Sequence, residues 1–171
     1  MPPAKSKTPS PVAGRPADQS LRELVRVFGL LERFMQPYFA QFGISGAQWG
    51  VLRNLHRAEQ EGLAGLRLTE LGERLLIRPP SVTGVVDRLE RVGLVKRDGL
   101  PADLRAKQVV LTLKGQQTVE QVLKNHETQI DTILDGLSLP EQAELHRLLS
   151  KLGQHLERLL QPERLPPTAE E

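Results

Sequence analysis

Residues 79–115, PPSVTGVVDRLERVGLVKRDGLPADLRAKQVVLTLKG, change their periodicity twice, and the changes decide the fold. Proline is tolerated only in the first turn of a helix, so a helix opens at Pro79 or Pro80. Val82, Val85, Val86, Leu89 and Val92 follow at helical spacing and form its apolar face, and Gly93 stops it. From Leu94 the pattern alternates. Leu94 to Arg97 and Lys107 to Leu113 read as paired strands, and Asp98-Gly99-Leu100-Pro101-Ala102-Asp103 reads as the loop between them. Thr112 can cap a long helix from Lys114 to about Asp135, with Val119, Val122, Leu123, Ile130, Ile133 and Leu134 on one stripe and Gly136 as its stop.

Upstream, Thr69 caps a short helix carrying Leu71, Leu75 and Leu76, and Arg78-Pro79-Pro80 forces a turn. Two short helices around a tight turn make a helix-turn-helix candidate, and a hairpin directly behind it is a wing. The expected fold class is therefore mainly α with a small β-wing, a winged helix-turn-helix lobe over residues 45–113. Its first helix starts at a capping box of Ser45 and Gln48, runs to about Ala58 and buries Ala47, Val51, Leu52 and Leu55, and Gly62 and Gly65 make the following loop.

Helices flank this lobe on both sides. Ser20 and Glu23 form a capping box before Leu21, Leu24, Phe28, Leu31, Met35, Tyr38 and Phe42, which step by three and four; Pro37 predicts a kink or break, and Gly43 the end. Ser138, Pro140 and Glu141 open a last helix with Leu145, Leu149, Leu152, Leu156 and Leu159 on one seam, stopped by Pro162. Residues 1–19 read as a disordered basic arm and 161–171 as an acidic tail, leaving residues 20–160 as the folded part. The helices over 20–42 and 114–160 carry more apolar surface than a small lobe can cover. An isologous dimer would bury it, with Leu21, Leu24, Phe28 and the five leucines of the last helix at the interface; packing within one chain is the alternative.

Composition narrows the function. A chain of 171 residues with no Cys has no disulfide, thiolate metal site or cysteine nucleophile. No signal-peptide pattern or apolar run of membrane length is present, which predicts a cytoplasmic protein. The formal net charge of +2 conceals an uneven distribution: residues 69–114 carry nine basic and six acidic groups, and 115–171 carry five and ten. All four Phe, the Tyr and the Trp lie between Phe28 and Trp49, so the basic segment has no aromatic on which single-stranded bases could stack. Catalytic and nucleotide-binding motifs such as G-x-S-x-G, H-E-x-x-H and the P-loop are absent, and His146 and His155 lack metal-ligand spacing. Neither an enzyme nor a cofactor or metal protein is expected.

Opposite its apolar face, the helix that opens at the prolines carries Ser81, Thr83, Gly84, Asp87, Arg88 and Arg91. Small hydroxyls at the start, a glycine allowing close approach and arginines one and two turns on suit a helix lying in the major groove of duplex DNA. A solvated face tied by an Asp87–Arg91 pair explains the same residues. The wing decides between them. Asp103, Arg105, Leu111 and Thr112 stand as D-x-R-x-x-x-x-x-L-T, and here the chain resembles the MarR family of bacterial transcription regulators. Leu68-Thr69-Glu70-Leu71, Pro80-Ser81-Val82-Thr83, Val86-Asp87-Arg88-Leu89-Glu90, Gly93-Leu94-Val95-Lys96-Arg97 and Leu111-Thr112-Leu113-Lys114-Gly115 resemble successive motifs of that family, over about residues 21–160.

The resemblance implies a homodimer in the bacterial cytoplasm, associated with the nucleoid. It would read a near-palindromic operator as a repressor and be released by a small aromatic or phenolic ligand bound between lobe and dimer platform. It also implies Arg105 as a wing-tip arginine entering the minor groove and Asp103 as the carboxylate orienting it. Leu104 stands where relatives often have another arginine, a loss for which Arg97 and Lys107 could compensate. The expected DNA contacts are Thr69, Arg78, Pro80, Ser81, Val82, Thr83, Gly84, Arg88, Arg97, Asp103, Arg105 and Lys107. For the ligand, Phe34, Tyr38, Phe39 and Trp49 with Arg53 and His56 could form an apolar pocket with polar anchors, although core packing accounts for them equally. His126 reads as a packed or interface histidine. The competing function is a winged helix that contacts protein and has no sequence-specific DNA binding.

Overall fold

The computed structural model describes residues 14–76, 79–100 and 103–160. Six helices and one hairpin follow in the order α1 Pro16–Ala40, α2 Gly46–Gln60, α3 Leu68–Leu75, α4 Pro79–Arg91, β1 Val95–Leu100, β2 Asp103–Leu111, α5 Leu113–Leu134 and α6 Leu139–Leu160. By contacts the chain divides into two units, and the boundary falls inside α5, between His126 and Glu127.

In the first unit, α2, α3 and α4 close around one apolar core. Val51, Leu52, Leu55, Leu71, Val82, Val86 and Leu89 are essentially removed from solvent, and burial of each such side chain contributes about 1.5–3 kcal/mol. The two strands pair antiparallel, and Leu66 adds a short bridge to Val109 on the outer side of β2. Val95, Val109 and Leu111 seat the base of this sheet on the core, and Val119 and Val122 bring α5 onto it. From α1 only the C-terminal end joins, through Met35, Tyr38 and Phe39, with Phe42 just beyond it. Further up that helix Leu21, Leu24, Val25 and Phe28 are exposed, Phe28 by 62%.

Several local expectations change. Helix α1 begins at Pro16, ahead of Ser20, and Glu23 pairs with Arg26 instead of reaching back to a cap. It runs unbroken through Pro37; the carbonyl this proline leaves without a donor belongs to exposed Arg33, where water can serve it. Ala47 is exposed. The cap of α3 is Arg67, whose backbone amide donates to Glu70 Oε2 at 2.6 Å, so Thr69 lies within the first turn. Leu76 ends α3 in the left-handed region, with φ of 54°, and is 86% exposed because that turn swings it off the buried face. Val92 follows the last turn of α4 and is 46% exposed. The strands take up most of the expected loop, Asp98 to Leu100 joining β1 and Asp103 opening β2. Leu113 belongs to α5, and Gly136 does not adopt a left-handed conformation.

Two expected caps form as read. Ser45 and Gln48 make both bonds of their box, Ser45 N–H to Gln48 Oε1 at 2.8 Å and Gln48 N–H to Ser45 Oγ at 3.3 Å. Thr112 Oγ1 accepts from the Gly115 amide at 3.0 Å and donates to the Gly93 carbonyl at 2.7 Å. One hydroxyl thus ties the end of α4 to the start of α5. Gly93 has φ of 74°, which lets the chain reverse there.

The second unit holds the end of α5 and all of α6. Its turn is fastened by Gln142, whose Nε2 donates to the carbonyls of Leu134 and Leu137. Glu141 accepts from both the amide and the hydroxyl of Ser138 at the start of α6. No residue of α6 is buried, and Leu145, Leu149, Leu152, Leu156 and Leu159 all stand exposed on it. Of the arm expected over residues 1–19, residues 1–13 lie outside the described residues, as do Arg78 and the tail over 161–171, whereas residues 16–19 are helical because α1 begins at Pro16. Among the described residues no helix is long and apolar enough to cross a membrane.

Candidate nucleic-acid interface

The orientation of α4 follows from its sequence. Val82, Val85, Val86 and Leu89 are driven into the core, which forces the opposite face outward. On that face Ser81, Asp87, Arg88 and Arg91 are exposed, with Thr83 and Gly84 at its margin. Val82, expected among the DNA contacts, is fully buried and serves as the helix's first anchor in the core. Thr69 is exposed on α3. The Asp87–Arg91 pair does not form, and among the described residues Arg88 and Arg91 have no ion-pair partner. Two uncompensated guanidinium groups and a serine hydroxyl therefore face outward from a helix whose other side is fixed.

Asp87 is occupied elsewhere. Arg97 of β1 donates from one guanidinium nitrogen to Asp87 Oδ1 at 2.5 Å and from the other to Glu90 Oε2, and its backbone amide reaches Glu90 Oε1 at 3.2 Å. The bond to Asp87, with the charge of Glu90, holds the guanidinium pKa above its ordinary value. Arg97 was expected to touch DNA. Its side chain is only 21% exposed, and it braces the first wing strand against α4. Lys107 is exposed on β2 opposite Gly99 and remains available.

Removing this brace gives a test. Arg97→Ala should cost only about 1 kcal/mol of stability, because both carboxylates stand well in water. It should weaken DNA binding as well, and the loss should be coupled to Asp87→Asn in a double-mutant cycle on DNA affinity. Additive effects would show that Arg97 acts independently of the helix.

The register of the wing is interrupted near its tip. Gly99 pairs with Lys107, yet the next rung joins Leu100 to Asp103, so Leu104, Arg105 and Ala106 have no partners across the hairpin. Bulges of this kind bend a strand. Arg105 sits in the middle of that bulge, two residues from Asp103, at the far end of the hairpin from the core.

The residues expected to hold a small ligand separate. Tyr38, Phe39 and Trp49 are buried together, with Phe39 and Trp49 ring centroids 5.8 Å apart, and the Tyr38 hydroxyl donates to the Val122 carbonyl. Burial raises the pKa of that phenol. Phe34 is exposed on α1, and His56 pairs along its own helix with Gln60. Arg53 does join the cluster, 5.9 Å over Trp49, and its polar neighbour there is His126 at 2.8 Å. Sequence reasoning left His126 outside this group, although its spacing from Val119 and Val122 put it on the buried stripe of α5.

A family model described as the MarR family matches residues 42–106. The chain is 33% identical over 120 residues to YkoM of Bacillus subtilis strain 168, an uncharacterized HTH-type transcriptional regulator, covering 70% of this chain and 75% of that one. It is 29% identical over 126 residues to the HTH-type transcriptional repressor YetL of the same organism, covering 74% of each. Among solved structures it is similar to a mutant MarR from E. coli complexed with operator DNA, at TM-score 0.71 and 27% identity over 80% of this chain and 95% of that one. The S. aureus MepR–DNA complex is similar at TM-score 0.67 and 25% identity, over 78% and 94%.

Proposed function

This chain belongs to the MarR family of transcriptional regulators, and from that premise we propose that it acts as a homodimeric, sequence-specific repressor whose α4 enters the major groove and whose wing enters the adjacent minor groove. The observation that carries this is the outer face of α4, where Ser81, Arg88 and Arg91 project from a helix clamped by a buried stripe and braced to the wing through Arg97. Ser81 and Thr83 read base edges at the start of the helix, with Gly84 permitting close approach, while Arg88, Lys107 and Thr69 meet phosphates. Arg105, in the wing bulge, enters the minor groove, where a narrow channel concentrates negative potential.

The apolar rows of α1 and of α6 are each covered by a second copy of the chain. Their exposure supports this, since isolated helices do not leave such long leucine seams in water. The repressor sign is supported by similarity to the transcriptional repressor YetL, and DNA as partner by the two DNA-bound neighbours. A small aromatic or phenolic effector releases the DNA by acting at the Tyr38–Trp49–Arg53 cluster, supported by apolar rings set beside a partly buried cation.

Selection from random duplex DNA with the purified protein tests the proposal. The expected product is a near-palindrome whose half-sites are centred about 10 bp apart, one helical turn. Recovery of no preferred sequence would favour protein contact as the role of the winged lobe.

A further inference from the structure

His126 is the one histidine of the described chain that is buried, at 8% exposure, and its surroundings are unusual. Its Nε2 lies 2.8 Å from the Arg53 guanidinium, which has no lone pair with which to accept and can only donate, so Nε2 is the acceptor and the imidazole is neutral with its proton on Nδ1. That Nδ1 is sealed from solvent and has no partner. From α1 the Tyr38 ring stacks on the imidazole at 6.2 Å, and from α2 Trp49 meets it edge-on at 5.5 Å. The charged group facing it is Arg53, and one turn further along α2 Arg57, whose charge is felt at Arg53, lies within reach of the Glu61 carboxylate. Among the described residues no carboxylate charge is felt at His126 or at Arg53.

We propose that Arg53 and His126 form an acid-sensitive latch: the neutral imidazole ties α5 to α2 of the DNA-binding lobe, and protonation of His126 breaks the tie and loosens the grip on DNA. A proton on Nε2 removes the acceptor that, among the described residues, Arg53 has at this site. It also places two positive charges about 3 Å apart in a region walled by Tyr38 and Trp49, where low dielectric strengthens their repulsion. The imidazolium cannot stay, so the ring or the arginine must leave the packed position, and helices α1, α2 and α5 meet at that position.

The direction with pH follows. Burial, and then the Arg53 charge, lower the imidazole pKa from its ordinary 6.5. A released imidazole titrates near 6.5 and the latched one lower, so the latch is intact above that value and is lost as pH falls from there through the lowered pKa. Helix α2 carries both the latch and core contacts to α3 and α4, which gives the change a route to the DNA-reading helix.

Trp49 is the only tryptophan of the chain, so its fluorescence reports on the latch directly. An imidazolium quenches an adjacent indole, and release alters its environment. Titrating the full-length protein from pH 8 to 5 should give a fluorescence transition with its midpoint below 6.5. His126→Gln, which keeps an acceptor for Arg53 but cannot be charged, should abolish it. Arg53→Gln, which keeps the imidazole and removes the repulsion, should move the midpoint upward, and this variant keeps the test decisive if His126→Gln folds poorly.

The functional half rests on the DNA-binding proposal and is read separately. Affinity for the selected DNA should fall by about fivefold or more through the same window, the lower end of ordinary coupling between sites, and His126→Gln should remain flat. A missing fluorescence transition, a midpoint unaffected by Arg53→Gln, or an equal loss of DNA binding in His126→Gln would overturn the latch. A normal fluorescence transition with no DNA bound at any pH would instead overturn the DNA-binding proposal and, with it, the functional half of the latch.

Discussion

Replacing Gly115 by alanine should lower stability by about 3 kcal/mol, the upper end of ordinary overpacking costs. A Cβ built at Gly115 lies 2.0 Å from the Leu94 carbonyl oxygen and 3.1 Å from its carbon. Those atoms are backbone, and the same carbonyl accepts from the Thr112 amide at 3.1 Å, so relief requires moving the start of the wing away from the start of α5. Helix propensity alone predicts the opposite sign, a gain of about 1 kcal/mol for Gly to Ala within a helix. Urea unfolding followed by circular dichroism separates the two: a lowered midpoint is expected, and a raised one would show that this junction is not closely packed.

The second large effect concerns assembly. Phe28→Asp should produce a folded monomer whose affinity for a two-half-site DNA falls by about 10²–10⁴-fold, the range lost when two linked contacts become one. Phe28 is exposed in the single chain, so the substitution removes no internal packing and the monomer should keep its helical spectrum. A charge in the middle of an apolar interface, by contrast, has no partner and costs far more than the lost ring. Sedimentation velocity should give a dimer for the unmodified chain and a monomer for the variant. A monomeric unmodified protein, or a variant that binds DNA equally well, would place the apolar row of α1 outside any dimer interface.

The winged lobe was legible because its elements announce themselves by periodicity and punctuation. Val82 to Leu89 fixed the buried side of α4, Pro79 its start and Gly93 its end, and all three appear as read. Less legible was whatever depends on which of several competent partners a side chain meets. Asp87 lies four residues from Arg91, a good helical pair, yet it bonds to Arg97, which only the folding back of β1 brings near. Glu23 found Arg26 along the helix and so did not cap it. Leu76 and Val92 keep the helical spacing but stand where the backbone has already turned, which spacing alone does not reveal. In the aromatic cluster the sequence placed Tyr38, Phe39 and Trp49 near one another, whereas the partnership of Arg53 with His126 spans 73 residues and required the packing of α5 on α2.

The most direct test of the central claim is the salt dependence of affinity for the selected DNA, measured for the unmodified protein and for Arg105→Ala. Each phosphate contact releases counterions, so log affinity should fall steeply and linearly with log salt, and the arginine-to-alanine change should both weaken binding and reduce the slope by about one per subunit. An affinity and slope identical in the two proteins would contradict the placement of the wing on DNA, and a flat dependence in both would contradict the nucleic-acid interface itself.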